Sequence, residues 1–165
     1  MERVKLNYAL NSLQPSIGEN TMNFHYNKLY KGYVDKFNKG EGDPVFNEAG
    51  AYLHGLYFEQ LTPNQDSDEP TGAVGDLITE FYDTYEDFKK KFEAIAMKVQ
   101  GSAWVYLAGD GSIKVIPNHA KADDIIILID WWEHAYYLTY PADKQSYLEN
   151  HWEILDWDVI NMRLK

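Results

Sequence analysis

The chain has 165 residues, 45% of them hydrophobic and 15% aromatic, a composition that excludes a disordered protein. A formal net charge of −11 argues against nucleic acid or an anionic membrane surface as the main partner, and no apolar run approaches the ~20 residues of a membrane span. There is no cysteine, so disulfides and thiolate chemistry are excluded, and any metal must be held by nitrogen and oxygen, a donor set that suits manganese, iron or magnesium.

Met1-Glu2-Arg3-Val4-Lys5 lacks the apolar core of a secretory signal, so a cytoplasmic protein is expected. Glu19-Asn20-Thr21 opens a helix that runs to about Phe37, with His25, Leu29, Tyr33 and Phe37 four apart on one face. Gly40, Gly42 and Pro44 break the chain. A second helix follows from about Val45 to Leu61, with Phe46, Gly50, His54, Tyr57 and Leu61 turned inward. Together they predict an antiparallel helical hairpin as an N-terminal domain over residues 1–63. The polar stretch Thr62–Gly72 carries two prolines and holds the expected linker, residues 64–72.

Residues 73–165 form the second expected domain. A short helix runs from Ala73 to about Tyr82. Another, capped at Asp83 or Thr84, shows Phe88, Phe92, Ile95, Ala96 and Val99 at helical spacing and ends at Gly101. Ala103–Ala108 and Ser112–Pro117 read as strands around the hairpin turn Gly109-Asp110-Gly111, and Ile125–Ile129 supplies a third. Helices rich in tyrosine and tryptophan follow. The expected fold is α+β: an N-terminal antiparallel helical hairpin plus a C-terminal three-stranded antiparallel sheet surrounded by helices.

Asp130 directly follows the apolar strand and should be buried, and a buried carboxylate requires a partner. Two readings stand. Asp130 caps a helix starting at Trp131, with His134 packed inside it, or Asp130 and His134 are two ligands of a metal. His25 and His54 lie on the inward faces of the two hairpin helices. Singly, each reads as a core histidine. With Asp130 and His134 from the sheet side they make three imidazoles and one carboxylate at a domain interface, with a position left open for substrate. His119, in a loop beside Pro117 and charged residues, is expected to be solvated, and His151 to pack within a C-terminal helix.

The chain resembles the iron/manganese superoxide dismutases over essentially its whole length. The similarity is carried by Leu6–Pro15, Phe24-His25-Tyr26-Asn27-Lys28, Tyr33-Val34 and Glu69-Pro70-Thr71-Gly72. It continues in Gln100-Gly101-Ser102-Ala103-Trp104 and, most specifically, in Asp130-Trp131-Trp132-Glu133-His134-Ala135-Tyr136-Tyr137, with Tyr147-Leu148 and Trp157 in register.

That resemblance implies His25, His54, Asp130 and His134 as ligands of one manganese or iron ion per subunit. It implies a redox cycle that converts the superoxide anion to dioxygen and hydrogen peroxide. By the same resemblance Tyr33 is a gateway tyrosine, and Gln100 hydrogen-bonds a solvent molecule at the open position. Trp104 and Trp132 wall the site. Glu133 reaches a ligand histidine across a homodimer interface that also holds Tyr137. The family's active-site glutamine comes either from the second helix or from just before the Gly-Ser-x-Trp strand. Gly50 occupies the first place and Gln100 the second, which favours manganese over iron. Lys28 and Lys144 are candidates for drawing in the anion.

Three departures stand out. The stretch Phe37–Pro44 is shorter than usual, the spacing from Phe46 to His54 is one residue short, and Leu29 replaces a histidine. Tyr30, next door, could partly make up for that loss. The expected activity is superoxide dismutation, with no nucleic-acid or membrane partner. The alternatives are a non-enzymatic scaffold or binding protein that keeps the fold, and a non-haem iron enzyme activating dioxygen or peroxide.

Overall fold

Residues 1–65 and 67–164 are described in a computed structural model; Asp66, within the expected linker, and Lys165 lie outside the described residues. The first arm begins with α1 (Glu19–Phe24), passes through a π-helical turn at His25–Tyr30, and continues as α2 (Lys31–Lys39). The helix expected to about Phe37 is therefore present, with one wider turn that a 3.6-residue period does not reveal. Such turns are frequent at functional sites. Gly40, at φ 68°, ends α2 in the left-handed conformation that glycine adopts without strain.

The return arm is α3 (Pro44–Glu59). Asp43 caps it by accepting from the backbone N–H groups of Val45 and Phe46, and Pro44 begins it with a preset φ. Gly50, His54, Tyr57 and Leu61 are buried as expected, while Phe46 is half-buried.

α4 (Gly72–Tyr82) and α5 (Tyr85–Ala96) follow, with Thr84 accepting from Asp87 N–H to cap α5. Then come β1 (Ala103–Ala108), β2 (Ile113–Pro117) and β3 (Ile125–Asp130), an antiparallel sheet in the order β2-β1-β3. Every residue of β1 and β3 is buried. Trp104 stands opposite Asp130 across the β1–β3 pair. The last strand runs one residue further than expected, so Asp130 belongs to it. α6 (Glu133–Tyr136) starts two residues later than expected. α7 (Lys144–His151), a 3-10 turn (Trp152–Ile154) and α8 (Trp157–Asn161) complete the chain.

β3 is an edge strand, but its outer edge is occupied by side chains. Gln60 donates to Leu128 O and accepts from Leu128 N–H, Arg163 donates to Ile126 O, and the Tyr147 hydroxyl donates to Asp130 O. The end of α3 is tied to the C-terminal region by the Leu61–Leu155 bridge and by Thr62 N–H donating to Ile154 O. The core between these elements is aromatic: Tyr30, Tyr57, Phe58, Phe88, Phe92, Trp104, Trp131 and Tyr147 are all essentially fully buried.

Candidate metal centre

The site forms where the π turn, α3 and the end of β3 meet. Asp130 is fully buried and its two carboxylate oxygens are divided. Oδ1 accepts from the Trp132 backbone N–H at 2.9 Å, the turn-forming bond an aspartate makes ahead of a helix. Oδ2 faces Nε2 of His25 at 3.0 Å, Nε2 of His134 at 3.1 Å and Nε2 of His54 at 3.7 Å. Asp130 therefore does not cap the helix, which begins at Glu133 after Trp132; Oδ1 closes the turn between β3 and α6, and Oδ2 faces the three imidazoles.

The protonation states follow from the surroundings. Burial alone would raise the Asp130 pKa, yet His134 and His25 beside it hold the carboxyl well below its usual range. Burial lowers His25 and, further, His54, which also has His25 for a neighbour, so both rings are neutral. His54 Nδ1 lies 2.7 Å from Gly50 O; that carbonyl can only accept, so the ring proton sits on Nδ1 and the Nε2 lone pair is free. Neither His25 Nε2 nor His54 Nε2 has a hydrogen-bond partner. The His54 Nε2 lone pair faces Asp130 Oδ2 at 3.7 Å, a repulsion that a cation between them would relieve.

Among the described residues, His25, His54, Asp130 and His134 each offer one donor atom, and these atoms all lie within 4.8 Å of one another. Three imidazoles and a carboxylate are a fitting donor set for manganese or iron.

The surroundings correct two expectations. His119 is not solvated but 7% exposed, and its Nδ1 accepts from Trp104 Nε1–H at 3.0 Å. Its ring stacks on Trp132 at 4.6 Å and meets Tyr33 edge-on at 4.9 Å. Gly50 leaves room for this, because its missing Cβ would lie 2.9 Å from the Tyr33 ring and 3.2 Å from His119 Cδ2. Gln100, expected in the site, is instead exposed in the connection between α5 and β1, and among the described residues no hydrogen bond joins it to the four converging residues. The β1–β2 register carries the clue to His119: Ala103 pairs with Pro117 and Asn118 N–H donates to Ser102 O, so position 119 returns beside Trp104.

Tyr33 lies against His54 at 5.2 Å between ring centroids, and burial, with Asp130 nearby, pushes its hydroxyl up to about 12. Trp104 is fully buried 5.0 Å from the His54 ring, and half-buried Trp132 stacks on His134 at 5.4 Å. Tyr30 does not replace the polar group missing at Leu29: its hydroxyl accepts from Val4 N–H, and its ring stacks on His54. His134 lies at the edge of an open depression of about 470 Å3 that Trp132, Glu133 and Lys144 also line. The Lys144 ammonium sits over the rings of Trp131 and Tyr136, while Lys28 is exposed. Glu133 and Tyr137 are exposed. His151 is fully buried, as expected of a packing residue.

Residues 2–44 match the family described as iron/manganese superoxide dismutases, alpha-hairpin domain, and residues 70–163 match iron/manganese superoxide dismutases, C-terminal domain. α3, with His54, lies between the two matched spans, but similarity to whole relatives runs through it. A protein of Bacteroides fragilis named superoxide dismutase [Fe] is 34% identical, covering 99% of this chain and 98% of the relative. One of Porphyromonas gingivalis named superoxide dismutase [Mn/Fe] is 35% identical over 98% of each. One of Pyrobaculum aerophilum named superoxide dismutase [Fe] is 32% identical over 97% of this chain and 90% of the relative. With both matched spans in chain order around the four gathered donors, the chain belongs to the iron/manganese superoxide dismutase family.

Proposed function

We propose that this protein disproportionates superoxide to dioxygen and hydrogen peroxide, with His25, His54, Asp130 and His134 holding one manganese or iron ion. The observation that carries the reading is the convergence of these four donors on one point. When bound, such an ion supplies one-electron exchange in both directions, accepting an electron from one superoxide and giving it to the next.

The chain's own residues supply the rest. Asp130 and the three imidazoles would hold the ion. Beside His54, Tyr33, whose raised pKa keeps its hydroxyl protonated at neutral pH, is a hydrogen-bond and proton donor for the reduced product. His119 takes the role expected of Gln100, as a buried donor beside Tyr33. Trp104 and Trp132 keep bulk water from the ligands. Lys144 is the cation nearest the depression at His134 and draws the anion there against the net negative charge. The preference for manganese rested on Gln100, so with Gln100 exposed we keep both ions.

We further propose a homodimer in the cytoplasm. Glu133 and Tyr137 are exposed beside the site, and Phe24, Tyr137 and Leu138 are large apolar groups 59%, 50% and 58% exposed. The chain's described helices include none long and apolar enough to cross a membrane. The test is to load purified protein with manganese or iron and assay superoxide dismutation beside a His54→Ala variant. Activity in the parent alone supports the proposal. A metal-loaded parent no faster than the variant would overturn it.

A further inference from the structure

Asp130 is held from behind as well as from the front. Three carbonyls at alternate positions on the outer edge of β3, those of Ile126, Leu128 and Asp130, accept from Arg163, Gln60 and Tyr147 respectively. The Tyr147 hydroxyl has a single proton, and it goes to Asp130 O at 2.9 Å. The hydroxyl of Tyr57, 3.3 Å from that of Tyr147, must therefore be the donor in the second bond. The chain of bonds runs in one direction, from Tyr57 to Tyr147 to Asp130, and each bond polarises the next.

Both tyrosines are 0% exposed. Burial keeps both phenols well above their usual pKa, so they remain donors. Their rings are themselves clamped. Tyr57 packs on His25 at 5.2 Å and stacks on His151 at 5.4 Å, while Tyr147 meets His151 and Tyr136 at 5.4 Å each.

We propose that Tyr147, oriented by Tyr57, is a positioning residue for the metal: it fixes the peptide from which the Asp130 carboxylate hangs, and so fixes Oδ2 relative to the three imidazoles. This rests on the reading of Asp130 as a ligand. Gln60 and Arg163 make the same kind of bond two and four residues upstream, where β3 carries no ligand, so they hold the strand alone. The tyrosine pair acts at the ligand itself and supports a second ligand, His25, through the Tyr57 ring.

The experiment compares Tyr147→Phe, Tyr57→Phe and Gln60→Leu in the full chain. The readouts are metal loss to a chelator such as EDTA, the visible absorption of the trivalent manganese or iron form, and the melting temperature of metal-free protein. Loss of a group that orients a ligand typically costs 10–100-fold in metal affinity, so Tyr147→Phe should lose metal on the order of tenfold faster, with a shifted absorption band. Tyr57→Phe should change both in the same direction by less. Gln60→Leu should lower the metal-free melting temperature and leave metal loss and spectrum unchanged. The proposal is overturned if Tyr147→Phe leaves both unchanged, or if Gln60→Leu accelerates metal loss equally. Should Tyr147→Phe fail to fold, Tyr57→Phe decides: unchanged metal loss overturns the proposal. A parent protein that takes up neither manganese nor iron overturns instead the metal-site reading beneath it.

Discussion

The indole N–H of Trp104 donates to Nδ1 of His119, and that single bond decides where the imidazole proton sits. A ring whose Nδ1 accepts must carry its proton on Nε2, which is buried and has no hydrogen-bond partner. Burial pushes the ring's pKa down to about 4, so at neutral pH His119 offers one donor from one nitrogen. His119→Gln, which can still donate from an amide, should keep most of the dismutation rate. His119→Leu should lower it about 10–100-fold with metal content intact. Steady-state rates normalised to bound metal check this, and equal rates for the two variants would contradict it.

Gly50 is where Tyr33 and His119 come close to α3. A Cβ there would stand 2.9 and 3.0 Å from two atoms of the Tyr33 ring, which cannot swing away without disturbing His119. Overpacking of this kind costs about 1–3 kcal/mol. Gly50→Ala should therefore melt roughly 2–12 °C lower, given about 2–4 °C per kcal/mol for a chain of this size. It should also lose turnover while retaining metal, measured by calorimetry and activity on the same sample.

His151 gives the fold a measurable sensitivity to acid. It is fully buried, neither ring nitrogen has a partner, and burial lowers its pKa from 6.5 to about 3. Between those values the unfolded chain binds a proton on this residue and the folded chain does not. Stability therefore falls as pH falls through that window, by about 1.4 kcal/mol per pH unit for this group. In metal-free protein, His151→Phe should show a shallower loss of stability between pH 6 and pH 4. Denaturant titrations across that range test it; parallel slopes for parent and variant would refute it.

The proposed dimer makes a prediction about Leu138, which is 58% exposed beside Tyr137. Leu138→Asp should shift the protein towards monomer in sedimentation without changing the absorption of the bound metal. Leu29→His, which returns a polar group to the half-buried face where Tyr30 cannot reach, should tighten the dimer or raise turnover.

The four donors that converge in the structure were individually legible because their surroundings are local in the chain. An apolar strand ending in aspartate, a histidine four residues on, and two histidines on helix faces are each visible over a few positions, but singly they read as a capping aspartate and core histidines, and only their combination and the family resemblance join them. The sheet was legible for the same reason, from Ala103 to Ile129. His119 was not, because nothing local buries it. Its loop is flanked by proline and charged residues, and the segment folds against α3 only through distant partners: Tyr52 donates to Ala122 O, and Lys121 pairs with Glu48 at 2.6 Å. The π turn was also hidden, since its apolar spacing fits an ordinary helix equally well. Gln100 misled for a related reason: a sequence match fixes its place along the chain but not the direction the turn before β1 takes.

The row of side chains along β3 has a consequence for how the protein behaves in a crowd. Ile125–Asp130 is an apolar edge strand with no proline or lysine to blunt it, the kind of segment onto which a second chain can add a strand and begin an aggregate. Gln60, Tyr147 and Arg163 already engage three outward carbonyls and one N–H of this strand, so an added strand would have to displace them. Arg163 comes just after α8, the last helix of the chain, so fraying of that one short helix is enough to open the first position of the edge. Protection of this edge thus depends in part on a side chain 37 residues further along the sequence.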